Sequence, residues 1–343
     1  MSAPLKVAVV GATGYTGEEL IRILAAHPKV RLTYVSSKDD RKQTIQEIYP
    51  YLRGSLDLVC HPFKPEDAAA ECDLIFLSLP HTVSMKTAPF FLSRGKKVID
   101  ISADYRLKEP AQYLEFYGTA HEDAGNLKQA VYGLPELNRE AIPGAKLIAN
   151  PGCYPTGAAL GLLPLVKNGI EWTGTCVIDA KSGVTGAGRK ASVNLIFSEV
   201  NENFKAYKVL THQHQPEISQ SLKSGKLKNT AFAFVPHLLP IDRGILSTIY
   251  VPLAQKKDGK KLHELYSDFY GREPFVQVLP AGRFPELKMV HKTNQCHIGL
   301  TYRDDLGTAV IVTAIDNLGK GAAGQAVQNM NILSGFSEKE GLV

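Results

Sequence analysis

The chain opens with a strand, a glycine turn and a helix, and this order constrains the fold more than any other feature. Residues 6–10 are a β-branched apolar run, and apolar residues recur at helical spacing over residues 18–26. Between them stand three glycines at a spacing that allows a sharp turn and a close approach of the backbone to a pyrophosphate. The amides of such a turn and the helix N-terminus bind phosphate groups. We predict dinucleotide binding here, with a simple tight turn as the alternative. The residues concerned are Gly11, Thr13, Gly14, Tyr15, Thr16 and Gly17.

Strand and helix patterns continue to alternate through the first half of the chain. Apolar runs at residues 31–35, 73–79 and 97–101 have helix-compatible stretches between some of them. This alternation predicts an α/β fold, with a Rossmann-type parallel sheet covered on both faces. From Trp172 onward the strand-like segments are not each followed by a helix, which favours an α+β domain with a mixed sheet.

A length of 343 residues suits two domains with two cores. We place the first domain over residues 1–151 and the second over residues 152–316. Residues 317–343 are expected to return and complete the first domain, because residues 321–332 read as a helix of small residues that can pack closely. For residues 334–343 we expect a helix end or a frayed tail.

Charge and cysteine content exclude several classes of protein. The 39 basic residues are interleaved with 34 acidic ones, so the net charge of +5 predicts a mixed surface and no nucleic-acid partner. The first residues resemble neither a signal peptide nor a membrane span, and we expect a cytoplasmic protein without a membrane partner. The five cysteines are odd in number and never spaced as C-x-x-C, so we expect neither a disulfide framework nor a metal site.

The segment after the second predicted strand indicates which dinucleotide is bound. Enzymes that use NAD usually place an acidic residue there for the ribose hydroxyls, whereas this chain has Ser36, Ser37 and Lys38, with Arg41 just beyond. Hydroxyl groups and cations suit the 2′-phosphate of NADP(H). Two aspartates in the same loop would repel that phosphate if they faced it, and an ordinary charged surface loop is the alternative.

Cys153 follows a strand pattern and a Pro-Gly turn and precedes an apolar helix pattern, with Pro155 at a plausible first helical position. A cysteine at a helix N-terminus is stabilised as the thiolate, and the same backbone amides can stabilise an oxyanion on a carbonyl that the sulfur attacks. We therefore predict a nucleophile at Cys153. The alternative is a buried apolar cysteine.

Histidine is the side chain best matched to proton transfer near neutral pH. His212 and His214 alternate on a stretch that points them to opposite faces if it is a strand, so that one of them reaches the cysteine. His237 ends another predicted strand and is a third candidate. His27, by contrast, lies among polar residues and is expected on the solvated surface, as are His61, His121, His263 and His291.

The segment Asn150-Pro-Gly-Cys153-Tyr-Pro-Thr156 resembles the active-site cysteine segment of N-acetyl-gamma-glutamyl-phosphate reductases, which are relatives of aspartate-semialdehyde dehydrogenase. The resemblance covers nearly the whole chain. Its other motifs, in chain order, are GATGYTGEEL, Ser78-Leu-Pro80-His81, Ala103-Asp-Tyr-Arg106, Tyr132-Gly-Leu-Pro-Glu136, residues 181–189, His212-Gln-His214-Gln-Pro-Glu217 and residues 317–324.

This resemblance implies an NADPH-dependent reduction of an acyl phosphate to an aldehyde through a thioester on Cys153. It implies His212 as the general acid/base, with His214 as a substrate contact or structural support. It also implies cofactor contacts at Leu79, Pro80, Asn317 and Gly321. Expected partners are the acyl phosphate or semialdehyde, inorganic phosphate, and further copies of the chain, which would form a homodimer or homotetramer through the second domain.

A substrate of that family carries a phosphate and a carboxylate, which the forked donors of arginine match. Arg106 and Arg189 fit best, the latter because it follows a glycine-rich loop that can fold around a ligand. Arg243 is held in reserve, and Ser182 and Asn150 complete the predicted substrate-binding set.

Two other functions compete with this interpretation. A sibling semialdehyde dehydrogenase, acting on aspartate semialdehyde or in an amino-adipyl pathway, would use the same cysteine chemistry and differ only in the pocket around the acyl chain. A sensor that binds NADP without catalysis would keep the glycine turn but would not need Cys153 and His212 together. Whether the substrate is free or attached to a carrier is left open by the sequence.

Overall fold

The computed structural model describes residues 3–38 and 42–342 and divides into two compact units. Unit 1 comprises Met1–Pro151 and Ala322–Val343, and unit 2 comprises Gly152–Gly321. The chain therefore returns to unit 1 at residue 322, so that residues 317–321, which the sequence groups with the first domain, belong to unit 2.

Unit 1 is built on an eight-stranded sheet in the order β3-β4-β2-β1-β5-β6-β8-β7, in which the β3–β4 pair is antiparallel and every other pair is parallel. Its strands are β1 Leu5–Val10, β2 Val30–Ser37, β3 Gln43–Thr44, β4 Val59–Pro62, β5 Leu74–Leu77, β6 Lys97–Asp100, β7 Val131–Tyr132 and β8 Leu147–Ala149. Its helices are α1 Tyr15–Ala25, α2 Ile45–Ile48, α3 Pro65–Glu71, α4 Ser84–Leu92, α5 Pro110–Tyr117, α6 Ala124–Gln129, α7 Pro135–Asn138 and, near the C-terminus, α12 Gly324–Leu333.

The strands of unit 1 are apolar on both faces because helices cover both. Along β1, Val7 and Val9 pack in a core with residues of α1 and α12, whereas Ala8 and Val10 pack in a second core with residues of α3 and α4. Successive side chains of a strand point to opposite faces, so continuous apolar runs are what a doubly covered parallel sheet requires. The predicted α/β class is confirmed.

Unit 2 contains a seven-stranded mixed sheet in the order β10-β11-β9-β12-β15-β14-β13, with parallel pairing between β11 and β9 and between β13 and β14. Its strands are β9 Cys176–Ser182, β10 Lys205–Ala206, β11 Phe232–Leu238, β12 Ile245–Pro252, β13 Val276–Val278, β14 Cys296–Arg303 and β15 Thr308–Ile315. Its helices are α8 Cys153–Lys167, α9 Phe197–Val200, α10 Gln215–Leu222 and α11 Gly259–Tyr270.

Helix α8 is the central helix of unit 2, and its residues 154–166 are all buried. It lies close to the sheet because Gly161 has no side chain, and a Cβ there would come within 2.6 Å of the Ile249 side chain in β12. On its other side, the hydroxyl groups of Tyr266 and Tyr270 in α11 donate to carbonyls of the helix at Gly161 and Leu160. These contacts fix the helix along its length.

The C-terminal segment and His27 both differ from the sequence predictions. His27 is buried, because its Nε2 lies 3.0 Å from Oδ1 of Asn331 in α12 and its ring packs near Phe336. The Asn331 amide also donates to the backbone carbonyls of Glu338 and Glu340, which holds the segment after α12 against unit 1. The predictions of a solvated histidine and a frayed tail were therefore wrong for these described residues.

Within the described residues, no helix has the length and the apolar character that crossing a membrane requires.

Asp100 offers a test of how unit 1 responds to pH. It ends β6 fully buried, and its carboxylate accepts hydrogen bonds from the amide and hydroxyl of Ser102. Burial first, and then the neighbouring Asp104 carboxylate, raises the pKa of Asp100 to about 6. An acid whose pKa is higher in the folded state holds its proton more tightly there, so stability falls as pH rises from about 4 to about 6 and then levels off.

We expect Asp100→Asn, which mimics the neutral acid, to remove this loss, of up to about 3 kcal/mol. The Tm of the variant minus that of the wild type should rise with pH across this window. Thermal melts across that range measure the difference, and Asp268→Asn on the exposed side of α11 is the control. A Tm difference that stays constant with pH contradicts the prediction.

Candidate active site

The glycine turn of unit 1 is tightly enclosed by neighbouring strand ends. Gly11 follows β1 with φ of +90°, in the left-handed region that favours glycine, and a Cβ there would lie 2.1 Å from the carbonyl oxygen of Ser78 after β5. The amides of Gly11 and Ala12 donate to the Ser36 carbonyl at 3.0 and 2.8 Å. A Cβ at Gly17 would lie 2.1 Å from the Gly11 carbonyl oxygen, so α1 begins directly against the turn.

The start of α1 has the features of an anion site. Gly14 is its N-cap residue and provides no side-chain hydrogen bond to the first turn of the helix. Thr13, Tyr15 and Thr16 are partly exposed around it. A helix N-terminus without a side-chain cap can bind a diphosphate through its backbone amides, so the residues present fit the phosphates of a dinucleotide.

The predicted contacts with the 2′-phosphate lie at the end of β2. The Ser36 side chain is fully buried and that of Ser37 nearly so, whereas Lys38 is exposed. Arg41 and the two aspartates before it lie outside the described residues. After the neighbouring β5, Leu79 is half-buried and Pro80 is exposed.

Two residues that the sequence assigns to substrate binding are buried in unit 1. The Arg106 guanidinium donates from Nε to the Asn150 carbonyl at 2.8 Å and from Nη2 to the Ile101 carbonyl at 2.7 Å. The Asn150 side chain donates to the Ala322 carbonyl and accepts from Asn329. Both side chains thus hold the backbone that leads to residue 151, and a substrate role for them stays a prediction.

In unit 2, Cys153 is the first residue of α8 and Gly152 is its N-cap. The helix therefore begins two residues earlier than the sequence suggests, with Pro155 third rather than first. Cys153 is partly exposed, whereas the other four cysteines are buried. The amide and hydroxyl of Thr156 both donate to the Gly152 carbonyl, which closes the first turn beneath the thiol.

Glu217 joins the cysteine turn to the histidine segment. It lies in the first turn of α10, is 1% exposed, and accepts a hydrogen bond from the Gly152 amide at 2.8 Å. The sequence assigns no role to Glu217. The pattern Pro216-Glu217 is typical of a helix start, and it could have placed this carboxylate at the N-terminus of α10.

His212 and His214 lie in a turn before α10 and not on a strand, so their rings are not on opposite faces. The ring centroids are 4.7 Å apart. The His214 amide donates to Nδ1 of His212 at 3.0 Å, so the neutral His212 ring carries its proton on Nε2. The earlier expectation of opposite faces assumed an extended backbone, which the turn replaces.

Aromatic rings surround His212. Tyr154, Tyr207 and Phe234 approach it edge-on, with centroid separations of 5.6, 5.6 and 5.5 Å. Burial, followed by the positive charge of Lys208, lowers the pKa of His212 to about 4. The ring is therefore neutral at physiological pH. Sequence reasoning missed this environment, because its members come from separate segments.

His237 lies on β11 beside this cluster. Its Nδ1 is 3.1 Å from Oδ1 of Asp179, and its ring packs near Phe204. Its backbone carbonyl accepts from the Tyr154 hydroxyl, to which Tyr207 also donates. His237 thus contributes to the cluster through its backbone, while its ring pairs with Asp179.

The remaining predicted site residues of unit 2 differ in burial along the glycine-rich loop, residues 182–189. Ser182 is buried and donates to the Gly183 carbonyl, whereas Arg189 at the far end of the loop is exposed. Asn317 accepts from the Gly244 amide and donates to the Thr185 hydroxyl. Gly321 faces Cys153, since a Cβ there would lie 2.9 Å from Cβ of Cys153. Within the described residues, no group of three or more His, Cys, Asp or Glu residues is arranged to hold a metal ion.

Comparison with known proteins first defines the class. Residues 6–145 match the family model described as semialdehyde dehydrogenase, NAD binding domain, and residues 153–317 match semialdehyde dehydrogenase, dimerisation domain. Aspartate semialdehyde dehydrogenase II from Vibrio cholerae, complexed with ASA, superposes with a TM-score of 0.72 at 17% identity over 97% of this chain and 99% of that chain. The enzyme with NADP from Candida albicans gives 0.70 at 18% identity over 97% and 99%. The fold and the family models are those of semialdehyde dehydrogenases.

Closer relatives define the family. An N-acetyl-gamma-glutamyl-phosphate reductase of Pelotomaculum thermopropionicum is 48% identical, covering 98% of this chain and 97% of its own length. The protein of the same name from Geotalea daltonii is 51% identical over 98% of both chains. The chain belongs to the N-acetyl-gamma-glutamyl-phosphate reductase family, as the sequence motifs predict. The domain matches support a nicotinamide cofactor and self-association of the chain.

The Gly152–Glu217 hydrogen bond gives a local prediction. Glu217→Gln keeps an acceptor for the Gly152 amide, whereas Glu217→Ala leaves that amide buried and unpaired at a cost of about 1–3 kcal/mol. We expect the alanine variant to lose stability and to slow alkylation of Cys153 by iodoacetamide, and the glutamine variant to stay near the wild type in both measurements. Equal behaviour of the two variants would show that the hydrogen bond does not hold the turn.

Proposed function

We propose that the chain reduces N-acetyl-gamma-glutamyl phosphate to N-acetylglutamate 5-semialdehyde with NADPH, releasing phosphate, as a step of arginine biosynthesis. Family membership supports the reaction. The position of Cys153 as the first residue of α8 carries the mechanism, because backbone amides and the helix dipole favour a thiolate there. Unit 1 is the proposed nucleotide-binding part, and unit 2 carries the proposed nucleophile.

In the first step, the Cys153 sulfur attacks the acyl carbon. A C–S bond forms, the carbonyl oxygen becomes an oxyanion, and collapse of this state breaks the bond to the phosphate oxygen, leaving a thioester. In the second step the thioester carbonyl gains a hydride, and the resulting oxyanion collapses with release of the Cys153 thiolate and the aldehyde. Each step develops negative charge on the same oxygen, so one hydrogen-bond donor can stabilise both.

His212 is the donor that we propose for this oxygen. Its Nδ1 already accepts from the His214 amide, so the neutral ring can only offer the N–H at Nε2. The general acid/base role implied by the family resemblance needs an imidazolium, which the aromatic surroundings and the lowered pKa disfavour. A neutral imidazole can instead donate a hydrogen bond without giving up its proton. The proton that leaves with phosphate then comes from solvent.

The cofactor is proposed to be NADP(H), held by the glycine turn and the N-terminus of α1. When bound, its nicotinamide supplies the hydride that the thioester accepts. The preference over NAD rests on the end of β2, where Ser37 and the exposed Lys38 stand at the position that is usually acidic in enzymes that use NAD; in the sequence, Arg41 follows after two aspartates. Ser36 serves the turn through its backbone carbonyl, and Ser37, Leu79 and Pro80 remain proposed contacts.

Arg189 is the proposed anchor for the anionic groups of the substrate, because it is exposed at the end of a glycine-rich loop. His214 and Ser182 are proposed to lie beside the acyl chain. We further propose that the enzyme works in the cytoplasm as a homodimer or homotetramer, with inorganic phosphate as the substrate of the reverse reaction.

The reaction is tested in reverse, as phosphate-dependent reduction of NADP+ by N-acetylglutamate semialdehyde. We expect turnover with this aldehyde, little with aspartate semialdehyde, and none in Cys153→Ala. NAD+ in place of NADP+ should be a poorer substrate. Turnover with aspartate semialdehyde alone would assign the chain to the sibling enzymes, and activity that survives in Cys153→Ala would exclude the thioester.

The role of His212 is tested with two variants. We expect His212→Ala to lower kcat about 10²–10³-fold, as the loss of an oxyanion donor does. His212→Gln restores an N–H near the position of Nε2 and should recover part of that loss, although glutamine cannot act as a general acid. The wild-type rate should show no acid-side decline from His212 until pH approaches its pKa of about 4. Equal activity of the two variants would contradict a role of His212 as a hydrogen-bond donor. It would favour the general acid/base role instead.

A further inference from the structure

We propose that the buried pair of Asp316 and Arg243 is a positioning device that fixes Cys153 through the turn containing Gly321. This inference rests on the proposed role of Cys153 as the nucleophile. Both charged residues lie in unit 2. Arg243, which the sequence holds in reserve as an anion-binding residue, is here occupied by a carboxylate.

The Asp316 carboxylate accepts hydrogen bonds from several donors. It is fully buried directly after β15, and its Oδ1 accepts from Nε and Nη2 of Arg243 at 3.1 and 2.9 Å. The same oxygen accepts from the amides of Leu318 and Gly319 at 2.8 and 3.0 Å. Its Oδ2 accepts from the amide of Lys292 at 2.6 Å, where the backbone has φ of +59°. A buried carboxylate with these partners orders two backbone segments and the Arg243 side chain at once.

A π-helical turn, Gly319–Ala323, follows Asp316 in the chain. The Gly321 amide donates to the Asp316 carbonyl at 2.9 Å, five residues back. This turn presents the Cα of Gly321 to the nucleophile, where a Cβ would lie 2.9 Å from Cβ and 3.3 Å from Cα of Cys153. The nucleophile thus packs directly on the backbone of a turn whose shape depends on Asp316.

The same device reaches the glycine-rich loop. Asn317, next to Asp316, accepts from the Gly244 amide at 2.7 Å and donates to the Thr185 hydroxyl at 2.9 Å. Thr185 in turn donates to the Asp242 carbonyl from both its amide and its hydroxyl. The residues on either side of Arg243 therefore hold the loop that bears Arg189. The positions of Arg189, the proposed substrate anchor, and of Cys153, the proposed nucleophile, thus both depend on one ion pair.

Close packing makes the coupling effective. Gly319 has no room to move, because a Cβ there would lie 2.1 Å from the Thr293 carbonyl oxygen. Gly321 has little room to move against Cys153. Removing the carboxylate charge leaves the Arg243 guanidinium buried without its counter-ion, and the turn must move to hydrate it. A displacement of about 1 Å at a reacting group can cost about 100-fold in rate, so even a small shift is measurable.

Three variants address different parts of the device. Asp316→Asn removes the charge with little change in shape. Arg243→Lys keeps the charge but loses the forked geometry, and is the conservative variant that should retain more function. Gly321→Ala leaves every hydrogen bond of Asp316 in place and adds only a methyl group against Cys153. Controls are Asp305→Asn, which breaks an exposed ion pair with Arg303, and Asn229→Ala, which removes hydrogen bonds to the Trp172 and Gly174 carbonyls in the loop after α8.

Two readouts are measured beside the Tm of each variant. The first is the rate at which iodoacetamide alkylates Cys153, followed by mass spectrometry, which needs neither substrate nor cofactor. The second is kcat and KM in the phosphate-dependent reaction. We expect Asp316→Asn and Gly321→Ala to slow alkylation about tenfold and to lower kcat about 10- to 100-fold with KM for NADP+ unchanged. The controls should match the wild type in both rates whatever their Tm.

A double variant separates positioning from general stability. Because both substitutions act on one contact, Asp316→Asn with Gly321→Ala should lose little more kcat than the worse single variant, whereas independent effects add. Additive losses, or a variant with lowered Tm but wild-type alkylation and kcat, would overturn the proposal. If Asp316→Asn does not fold, Gly321→Ala and Arg243→Lys carry the test. A wild-type chain without turnover would refute the proposed function, while the alkylation rates would still decide the positioning.

Discussion

The fixed start of helix α8 is the constraint on which the active site depends. The helix is buried along residues 154–166, and it is held by the sheet on one side and by two tyrosine hydroxyls on another. Its first turn is fixed by two contacts, with Glu217 at the Gly152 amide and with Gly321 at the Cys153 side chain. A thiol at the end of such a helix has no freedom to compensate for a displaced neighbour, so its reactivity reflects the packing of the whole unit.

Features that depend on neighbours in sequence could be predicted. The glycine turn, the alternation of strands and helices, and the position of Cys153 before an apolar helix are all local patterns, and the fold and family they indicate are confirmed. The surroundings of His212 could not be predicted in this way. Tyr207 follows β10 and Phe234 lies in β11, and no spacing rule connects them. The alternation of His212 and His214 is compatible with a strand and with a turn, and the structure has the turn.

The return of the chain to unit 1 shows a second limit of sequence reasoning. Small residues around Gly321 indicate close packing but not the partner, and the structure makes that partner Cys153 itself. In the same way, Asp316 and Arg243 lie 73 residues apart, so their pairing has no local signal. The final segment after α12 appears featureless in sequence, yet its backbone carbonyls are bound by Asn331, a residue inside the helix before it.

The burial of four of the five cysteines, all of which lie in the described part of the chain, has a consequence beyond catalysis. Electrophiles that react with thiols therefore meet one partly exposed cysteine per chain, and it is the one at the start of α8. A reagent that modifies thiols can therefore mark this one position while the buried cysteines in the cores of both units stay unmodified.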